Sequence, residues 1–593
     1  MNSNLANRFF LTCAVTAITI LATSETPVFA GERKPNVIVI LTDDQGFGEL
    51  GATGNPVVHT PNIDRFAAQS TSLVNFNVMP VCSPTRAGLM TGRDYYRTGV
   101  IDTYLGRSLM DTNETTLAQM FASAGYRTGI FGKWHLGDNY PRRAMDKGFQ
   151  ESLVLNGGGL AQPGDPPDPE DAQGAYFNST LRHNGTWVKT KGYISDVITT
   201  AAIGFIEDNK TKPFFVYLPF NCPHAPHQVP TEYRKHYPPE VFDPTNFPSK
   251  GHPMAAEHNA SDLAAVYGMI ENIDENVARL LAKVDELKLA DNTIVVLFSD
   301  NGCQKHNGYN AGFRSWKGSP YQGGIHQFCY VRWPGQFKPG HEVDRIAGNI
   351  DLTPTLLDLC GVAKPQNVKF DGLSLAPLLR GAAVNWPDRT LFFQWHRGDV
   401  PQRYQNCAVR SQDWKLVQAL GGEGDKWPGK TSFELFDMAH DPFEMHDVAT
   451  KNPERVATLK SAYDAWFDGL NRERDFRKPQ TIVVGTKFEN PVLLTRQDWH
   501  EPPPKKGGIG YWNLNVASSA HYSVKLLFAP LKANGMAHLN CCGVSLEQPI
   551  KAGENECEFK SIQIPAGDGR LEAILHEGSS AMGIKYANVK RLD

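Results

Sequence analysis

Largely apolar segments at three places in the first 300 residues predict buried β-strands. They are residues 36–41, 213–220 and 293–299, and none contains a charged side chain. Uncharged segments of this length are typical of strands that are covered on both faces of a parallel sheet. Residues 128–132 form a further, shorter strand candidate.

Helical patterns lie between these strands. Residues 60–68 open with Thr-Pro, and residues 114–124 place apolar side chains at helical spacing before a glycine. The longest pattern keeps one apolar face over residues 261–284. The alternation predicts an α/β fold with a large mixed, mostly parallel sheet sandwiched by helices. Ligands of such sheets bind beyond the carboxyl ends of the strands.

The alternation weakens near residue 370. Segments 407–417 and 432–437 predict a small antiparallel sheet, and a helical pattern follows over 453–470. Beyond a charged, Pro-containing linker the chain is mostly short strand candidates, at 510–517, 521–528, 557–564 and 571–576. Closely spaced short strands predict an appended all-β domain, in the form of a β-sandwich.

These patterns divide the chain into four predicted parts. They are a signal peptide (1–30), an α/β domain (31–370), a C-terminal subdomain with an antiparallel sheet and a helix (371–475), and an accessory β-sandwich domain (480–593). Within the second part, residues 156–174 are rich in Gly, Pro and Asp and are interpreted as an irregular loop.

The first thirty residues have the pattern of a secretory signal. Arg8 precedes a largely apolar run over residues 9–22, and Val28-Phe29-Ala30 has the form of a cleavage site. A membrane anchor is the alternative, but threonines interrupt the run, which is short for a transmembrane helix. We therefore predict an exported protein, periplasmic or secreted, without membrane insertion.

Composition and charge narrow the range of partners. The 593 residues are 41% apolar and 21% charged, which is ordinary for a globular protein with a large core. A net charge of −4 argues against nucleic acid as a partner. Apart from Cys13 in the signal and Cys82, eight cysteines could form up to four disulfides in an oxidising compartment, and their spacing does not indicate the pairing.

Two polar pairs follow predicted strands. Asp43-Asp44 comes after the first strand and Asp300-Asn301 after the strand at 293–299. Carboxylates and an amide, with no His or Cys among them, form a hard-oxygen ligand set that suits Ca²⁺ or Mg²⁺ better than zinc. Asp and Asn are also common in strand-end turns. Two such pairs in one chain favour a metal site.

Cationic and imidazole side chains supply the remaining candidates: Arg86, Lys133, His135, His224 and Lys317. Taken alone, each has an ordinary explanation, such as a surface lysine or a loop cap. Fixed cations stabilise the charge that develops on an anionic ester, and an imidazole or ammonium can protonate a departing alcohol. As a set, these residues suit a site for an anionic ester.

Short motifs in the chain resemble those of a known family. They are Cys82-Ser83-Pro84-Thr85-Arg86 with Thr91-Gly92-Arg93, Gly132-Lys133-Trp134-His135-Leu136-Gly137, Asn221-Cys222-Pro223-His224, Ser299-Asp300-Asn301-Gly302, and Lys317-Gly318 followed by Gly323-Gly324-Ile325. In order and approximate spacing they resemble the type I sulfatases, the formylglycine-dependent, arylsulfatase-like members of the alkaline-phosphatase-like superfamily. The resemblance spans about residues 33–470 and implies hydrolysis of sulfate monoesters.

The resemblance implies a modified nucleophile and a metal. A formylglycine-generating maturation enzyme would oxidise Cys82 to Cα-formylglycine, whose hydrated aldehyde attacks sulfur, and Arg86 would hold that hydrate. One calcium ion would be bound by an oxygen of residue 82, the substrate sulfate and four side chains, Asp43, Asp44, Asp300 and Asn301.

The resemblance also implies roles for the other candidates. Lys133 and Lys317 would contact sulfate oxygens, and His224, with Lys317, would protonate the leaving alcohol. His135 would then take a proton from the second hydroxyl of residue 82, so that sulfate leaves and the aldehyde is restored. The second hydroxyl makes this release intramolecular, which favours it strongly.

Two positions depart from the family pattern. His326 stands where many relatives have Arg after Gly-Gly-Ile, which puts a charge at that position in doubt. Cys222 stands at a position that is often Ala. Neither belongs to the predicted site.

Two other functions remain open. A phosphate or phosphonate ester hydrolase would share the fold, and phosphonate monoester hydrolases can also use formylglycine. Phosphatases of the superfamily usually have a Ser or Thr nucleophile and two zinc ions, whereas this chain has Cys82 and Asn301. The second possibility is an inactive, secreted carbohydrate-binding protein. Trp499, Tyr511 and Trp512 would stack on sugars there, although such side chains fit the core of the sandwich better.

The substrate is indicated only as a class. An exported enzyme with a possible sugar-binding domain favours sulfated carbohydrates, with aryl sulfates as surrogate substrates. Loops such as 139–190 and the C-terminal domain are expected to set specificity.

Overall fold

The computed structural model of the protein describes residues 34–162, 164, 174–248, 250–305, 307–422, 427–500 and 508–593. The predicted signal peptide (1–30), and residues 163 and 165–173 of the predicted loop, lie outside the described residues. Within the described ranges, no helix combines the length and the apolar character needed to cross a bilayer.

The N-terminal part is built on one large sheet. Its strands, with one separate pair, are β1 (Asn36–Thr42), β2 (Thr71–Leu73), β3 (Phe76–Asn77), β4 (Arg127–Lys133), β5 (Glu151–Leu155), β6 (Thr180–His183), β7 (Thr186–Lys189), β8 (Phe214–Pro219), β9 (Thr293–Ser299), β10 (Cys329–Arg332), β11 (Glu342–Val343) and β12 (Ala347–Gly348). β3 pairs with β12, and the others form a ten-stranded sheet in the order β11-β2-β10-β9-β1-β8-β4-β5-β6-β7. The four strands predicted for this part of the chain are all in the ten-stranded sheet, as β1, β4, β8 and β9.

The middle of the sheet is parallel, through β9, β1, β8, β4 and β5. Thr42 at the end of β1 pairs with Ser299 at the end of β9, and Leu41 pairs with Pro219 at the end of β8. Alternate residues of β1 belong to two different hydrophobic cores, one on each face of the sheet. This two-sided burial explains the uncharged segments, and the shared register brings the carboxyl ends of the strands to one edge.

Helices cover both faces of the sheet. They are α1 (Pro61–Ala68), α2 (Cys82–Thr91), α3 (Leu117–Ser123), α4 (Ile194–Asn209), α5 (Thr231–Arg234), α6 (Ala260–Glu286), α7 (Gln322–Ile325), α8 (Leu352–Leu359) and α9 (Ala376–Leu379). The apolar sides of α4 and of the C-terminal half of α6 lie in one core, and those of α3 and α8 in the other. The start of α3 is fixed by a capping box, in which the Thr116 hydroxyl accepts a hydrogen bond from the backbone N–H of Gln119.

A small antiparallel sheet follows. Its strands, in chain order and in sheet order, are β13 (Leu391–Gln394), β14 (Cys407–Arg410), β15 (Trp414–Gln418) and β16 (Glu434–Asp437), and then comes α10 (Pro453–Glu473). Segment 407–417 forms two strands rather than one, because the chain turns between Ser411 and Trp414, whose backbone groups bond at 2.9 Å. A buried ion pair joins this sheet to α7. Lys415 Nζ lies 2.6 Å from a carboxylate oxygen of Glu444, and the other carboxylate oxygen accepts a hydrogen bond from the backbone N–H of Gln322 at 2.7 Å.

The C-terminal strands form an all-β domain. They are β17 (Ile482–Val484), β18 (Val492–Thr495), β19 (Tyr511–Val516), β20 (Ala520–Leu527), β21 (Gly535–Cys541), β22 (Val544–Ile550), β23 (Glu556–Ile564), β24 (Gly567–Glu577), β25 (Ser580–Gly583) and β26 (Tyr586–Arg591). One sheet has the order β17-β19-β24-β21-β22 with β25 beside β24, and the other is β18-β26-β20-β23. The predicted fold class is confirmed, whereas the exact domain boundaries at 370, 475 and 480 stay predictions.

The core of the β domain settles the role of two aromatic residues. Trp499 and Trp512 are 1% and 0% exposed, and they pack in that core. Their rings are therefore not available to stack on a sugar. Leu105 and Leu109, from the N-terminal part, lie in the same core, so that the β domain is docked on the segment around these residues.

The cysteines of the described residues are all free. The disulfides that the sequence allowed for the eight cysteines outside the signal and position 82 are therefore not formed in this structure. Most of these thiols are buried in the hydrophobic cores, where a cysteine packs as a small apolar side chain.

Candidate active site

The ends of four parallel strands carry most of the predicted site. In the order of the sheet, β9 is followed by Asp300 and Asn301, β1 by Asp43 and Asp44, β8 leads to His224, and β4 ends in Lys133 and is followed by His135. Because these strands are parallel neighbours, their carboxyl ends meet at one edge of the sheet. The structure thus brings together residues that are up to about 260 positions apart in the chain.

Cys82 is the first residue of α2. This helix is buried along its whole length, and Gly92 ends it in the left-handed conformation, with φ of 66°. Cys82 and Lys317 both line a pocket of about 870 Å³, and the Lys317 Nζ lies 4.0 Å from the Cys82 Sγ. The positive end of the helix dipole therefore lies at residue 82, which favours an anion in the pocket.

Arg86 lies on the same helix, one turn further, and is fully buried. Its Nε and a terminal nitrogen donate to Asp300 Oδ2 at 3.1 and 2.8 Å, and the other terminal nitrogen donates to the Lys133 carbonyl at 3.0 Å. A buried guanidinium is stable only with such partners. Arg86 thus ties α2 to the ends of β9 and β4, and its predicted contact with a hydrate at residue 82 stays a prediction.

Cations and carboxylates alternate at this edge of the sheet, next to the pocket. Lys133 Nζ donates to Asp43 Oδ2 at 2.6 Å, and Lys317 Nζ lies 2.7 Å from Asp44 Oδ1. Burial opposes ionisation of Asp44, but Lys317 and other cations outweigh it and hold its pKa well below the usual range. Burial, reinforced by Asp43, raises the pKa of Asp300 to about 6 despite its pairing with Arg86. Repulsion between carboxylates therefore remains at this edge.

The side-chain oxygen atoms of Asp43, Asp44, Asp300 and Asn301, called the carboxylate cluster below, fit a hard divalent cation. Asp43 Oδ1 and Asn301 Oδ1 are buried and accept no hydrogen bond from any described residue. One ligand atom each of Asp43, Asp300 and Cys82 lies within 4.8 Å of the other two. Unpartnered buried acceptors are costly, and a cation would satisfy both them and the remaining repulsion. The donor set is that of Ca²⁺ or Mg²⁺, because its carboxylate and amide groups are oxygen ligands.

The two histidines differ in which nitrogen is available. His224 Nδ1 lies 2.6 Å from the Ala225 carbonyl, so it donates, and Nε2 lies 3.7 Å from Asp44 Oδ2. His135 Nε2 lies 2.6 Å from the Thr103 carbonyl, and its Nδ1 is buried without a partner among the described residues. Burial lowers the pKa of His224 to about 3 and that of His135 well below the usual range.

The pocket walls combine aromatic and cationic side chains. The Arg397 guanidinium lies 4.7 Å from the Tyr104 ring and 4.9 Å from the Trp395 ring, and the Lys305 ammonium lies 5.0 Å from the Trp316 ring. All five side chains line the pocket. Aromatic faces suit sugar rings, and cations suit anionic groups.

Sequence reasoning missed several pocket residues. Gln304 donates to Asp44 Oδ2 at 2.7 Å, and its position three residues after Asn301 was an available signal. Thr103, Tyr104 and Gln497 had no such signal, because none of them lies in or next to one of the motifs. Gln497 belongs to the β domain and reaches the pocket only through tertiary packing.

The two departures from the family pattern lie outside the charge cluster. The buried His326 ring packs against Phe47 and Phe313 at centroid distances of 4.8 and 4.6 Å, and burial lowers its pKa to about 3. It is therefore a neutral packing residue. Cys222 accepts a hydrogen bond from Ser195 Oγ at 3.3 Å, and only its backbone touches the site, where its carbonyl accepts from the Asp43 amide.

Comparisons with known proteins agree with this geometry. The family model described as Sulfatase matches residues 35–362, which is more than half of the chain. A second model, described as N-sulphoglucosamine sulphohydrolase, C-terminal, matches residues 317–463. The matched ranges together include the ten-stranded sheet and the small antiparallel sheet.

Individual relatives extend over most of the chain. Arylsulfatase A of Bos taurus is 32% identical over 492 residues, covering 74% of this chain and 89% of that protein. N-acetylgalactosamine-6-sulfatase of Canis lupus familiaris is 28% identical over 511 residues, covering 80% and 92%. The solved structure of Ps i-CgsB in complex with k-i-k-neocarrahexaose is 27% identical, with a TM-score of 0.62, and covers 73% of this chain and 93% of that chain. The chain therefore belongs to the sulfatase family.

Proposed function

We propose that this sulfatase hydrolyses sulfate monoesters of carbohydrates, with a formylglycine made from Cys82 and one bound calcium ion. The observation that carries the proposal is the convergence of three carboxylates and three cations at one edge of the sheet, next to the pocket that Cys82 and Lys317 line. The alternation of charge suits a metal together with an anionic substrate, and such a preorganised site stabilises charge that develops during ester cleavage.

The surroundings of Cys82 support its modification. Burial raises the pKa of the Cys82 thiol, against the opposing effect of Lys133 and Lys317, so the unmodified side chain is a neutral thiol and a weak nucleophile. A hydrated aldehyde at this position would supply one hydroxyl for attack on sulfur and a second for release of sulfate. Arg86 and α2 hold the position rigidly beside the carboxylate cluster.

Four side chains would hold the calcium ion: Asp43, Asp44, Asp300 and Asn301. The support is the oxygen-only donor set and the two unpartnered buried oxygens, on Asp43 and Asn301. Bound there, the ion would offset the negative charge of the carboxylates and polarise an oxygen of the sulfate group.

Lys133 and Lys317 would bind the remaining sulfate oxygens. Both ammonium groups pair with carboxylates of the site. Burial opposes ionisation of Lys317, but Asp44 and other anionic groups outweigh it and hold its pKa well above the usual range. Lys317 thus stays charged. Two fixed ammonium groups and the N-terminus of α2 orient a tetrahedral anion over residue 82.

His224 would protonate the leaving oxygen from Nε2. Its Nδ1 is committed to the Ala225 carbonyl, so Nε2 is the nitrogen that can carry a proton into the pocket. A bound sulfate ester adds negative charge beside this ring, which raises the proton affinity of His224 when substrate is present. Lys317, beside the same carboxylate, is the second acidic group.

The pocket walls favour a carbohydrate. A volume of about 870 Å³ exceeds the needs of a sulfate group alone, and the walls present Tyr104, Trp316 and Trp395 with two cations. Among the relatives, one is named for N-acetylgalactosamine-6-sulfate chemistry and one was solved with a neocarrahexaose. Sugars that carry further anionic groups would use Arg397 and Lys305.

The choice between sulfate and phosphate is tested with paired substrates. We expect kcat/KM for 4-nitrophenyl sulfate to exceed that for 4-nitrophenyl phosphate by about 100-fold or more, as for the preferred substrate class of a selective enzyme. A panel of sulfated mono- and oligosaccharides, assayed by sulfate release, should contain better substrates than the aryl ester. A preference for phosphate or a phosphonate monoester would favour the alternative hydrolase, and no turnover of any ester would favour the inactive binding protein.

Modification of Cys82 is tested by mass spectrometry of protein produced together with a formylglycine-generating enzyme. The peptide containing residue 82 should be about 18 Da lighter than the thiol form, through loss of H₂S and gain of oxygen. The Cys82→Ala variant should lose activity by about 10⁴-fold or more, as expected for a nucleophile. Cys542→Ala, in the β domain, is the matched control and should retain full activity. Fully active protein that contains only thiol at residue 82 would contradict the proposal.

Calcium binding is tested by chelation and elemental analysis. We expect one calcium per chain, loss of activity on dialysis against a chelator, and recovery on addition of Ca²⁺. Asp43→Asn should weaken calcium binding by at least about tenfold, because it removes a charged ligand. Asp568→Asn on β24 alters a carboxylate of the β domain that lies outside the cluster, and it should leave the affinity unchanged. Activity that survives complete metal removal would refute this part of the proposal.

The role of His224 is tested by varying the leaving group. His224→Gln should lower kcat for a sugar sulfate by about 10²–10⁴-fold, because a poor leaving group needs general acid catalysis. The loss for 4-nitrophenyl sulfate should be much smaller, since 4-nitrophenolate leaves without protonation. His440→Gln, a change at an exposed histidine, should affect neither substrate. Equal losses for both leaving groups would exclude His224 as the acid.

A further inference from the structure

The β domain supplies a polar side chain to the pocket of the sulfatase part. Gln497 lies in a short helical turn directly after β18, and its side chain is almost fully buried. It lines the same pocket as Cys82 and His135. A buried amide inserted from another domain is costly unless its hydrogen bonds are satisfied, so its partners indicate its purpose.

The Gln497 amide and His135 bind the same carbonyl oxygen. Gln497 Nε2 donates to the Thr103 carbonyl at 2.7 Å and to the Ser108 hydroxyl at 3.0 Å. His135 Nε2 lies 2.6 Å from that Thr103 oxygen. Because a carbonyl oxygen only accepts, His135 Nε2 must carry the hydrogen, which leaves Nδ1 with a lone pair. Nδ1 is the nitrogen that has no partner among the described residues.

The segment that carries Thr103 is held by the β domain. The Gly106 amide donates to the Gln497 carbonyl at 3.0 Å, and Leu105 and Leu109 pack in the core of the β domain. A Cβ at Gly158 would lie 2.8 Å from the same His135 Nε2, so this end of the ring is tightly enclosed. Movement of the Gln497 side-chain amide would therefore disturb the position of the His135 ring.

We propose that Gln497 is a positioning residue, which holds the Thr103 carbonyl so that His135 stays in the Nε2–H tautomer with Nδ1 ready to accept a proton. The inference rests on the proposed function, in which His135 takes a proton from residue 82 during release of sulfate. Gln497 does not touch the reacting atoms in this scheme. It acts through Thr103 and through its own amide nitrogen, which lies 3.4 Å from His135 Nε2, and it makes the β domain a part of the active site.

The scheme predicts an effect on one step only. The alcohol leaves in the first step, which needs His224 and Lys317, and sulfate leaves in the second, which needs His135. Loss of the Gln497 amide should therefore slow the second step alone. A slower second step lowers kcat and KM together and leaves kcat/KM nearly unchanged, with a burst of alcohol before the steady state.

The test uses Gln497→Met in the full-length, mature enzyme with 4-nitrophenyl sulfate. Methionine keeps the length of the side chain and removes both donated hydrogen bonds. We expect kcat to fall by about 10–100-fold, as for other supporting residues of a site, with kcat/KM within about twofold of the wild type. A burst of about one equivalent of 4-nitrophenol per active site should precede the steady state. Gln563→Ala, a glutamine change on β23 of the same domain, should leave both constants unchanged.

Two further measurements keep the inference testable if Gln497→Met folds poorly. Ser108→Ala removes one of the two acceptors of the Gln497 amide, and it should produce a smaller fall in kcat with the same constant kcat/KM. Independently of activity, [¹⁵N]histidine NMR of the Cys82→Ala protein should show His135 as the Nε2–H tautomer, with the signal assigned by His135→Gln. Gln497→Met in that background should shift the signal towards a tautomer mixture.

The outcomes separate this inference from the proposed function. A wild-type enzyme that cleaves no sulfate ester would refute the proposed function itself. An active wild type with an unchanged kcat in folded Gln497→Met would overturn the inference and leave the function standing. A parallel fall in kcat and kcat/KM would also overturn it, since Gln497 would then act on binding or on the first step.

Discussion

The structure of the site depends on balanced charge in a place that is largely shielded from water. Three carboxylates, on Asp43, Asp44 and Asp300, face three cations, on Arg86, Lys133 and Lys317. Removing one partner from such a buried pair typically costs about 3–5 kcal/mol, because the other is left uncompensated. The side chains are therefore held in place by the same pairing that a metal and an anionic substrate would exploit. Binding at this edge exchanges partners among groups that are already largely desolvated.

The parallel sheet makes this arrangement possible, and it also allowed the arrangement to be predicted from the sequence. Strands buried on both faces must be apolar, so β1, β8 and β9 stand out in the sequence, and the polar residues that follow them must meet at one edge. The small sheet was less clear, because β14 and β15 are separated only by a short turn and β13 has no distinct flanking signal. The cysteines are a further difference between expectation and structure. Among the described residues they are free rather than paired in disulfides, and most lie in the hydrophobic cores.

The pocket walls could not be predicted from the sequence. Tyr104, Trp395 and Arg397 lie on segments with no periodic pattern, and they meet through tertiary packing alone. Gln497 is separated from His135 by 362 positions and by a domain boundary, so no local signal connects them. Motifs identify groups that touch reacting atoms, because chemistry restricts those residue types. Supporting groups are restricted only by geometry, which the sequence does not display.

The presence of Leu105 and Leu109 in the core of the β domain has a consequence for how the chain divides. The second family model ends at residue 463, before the first strand of that domain. A chain that ended before this strand would expose Leu105 and Leu109 to solvent and would release the segment that they anchor. The part of the chain matched by the family models is therefore smaller than the part that must fold to complete the pocket, because Gln497 of the β domain lines it.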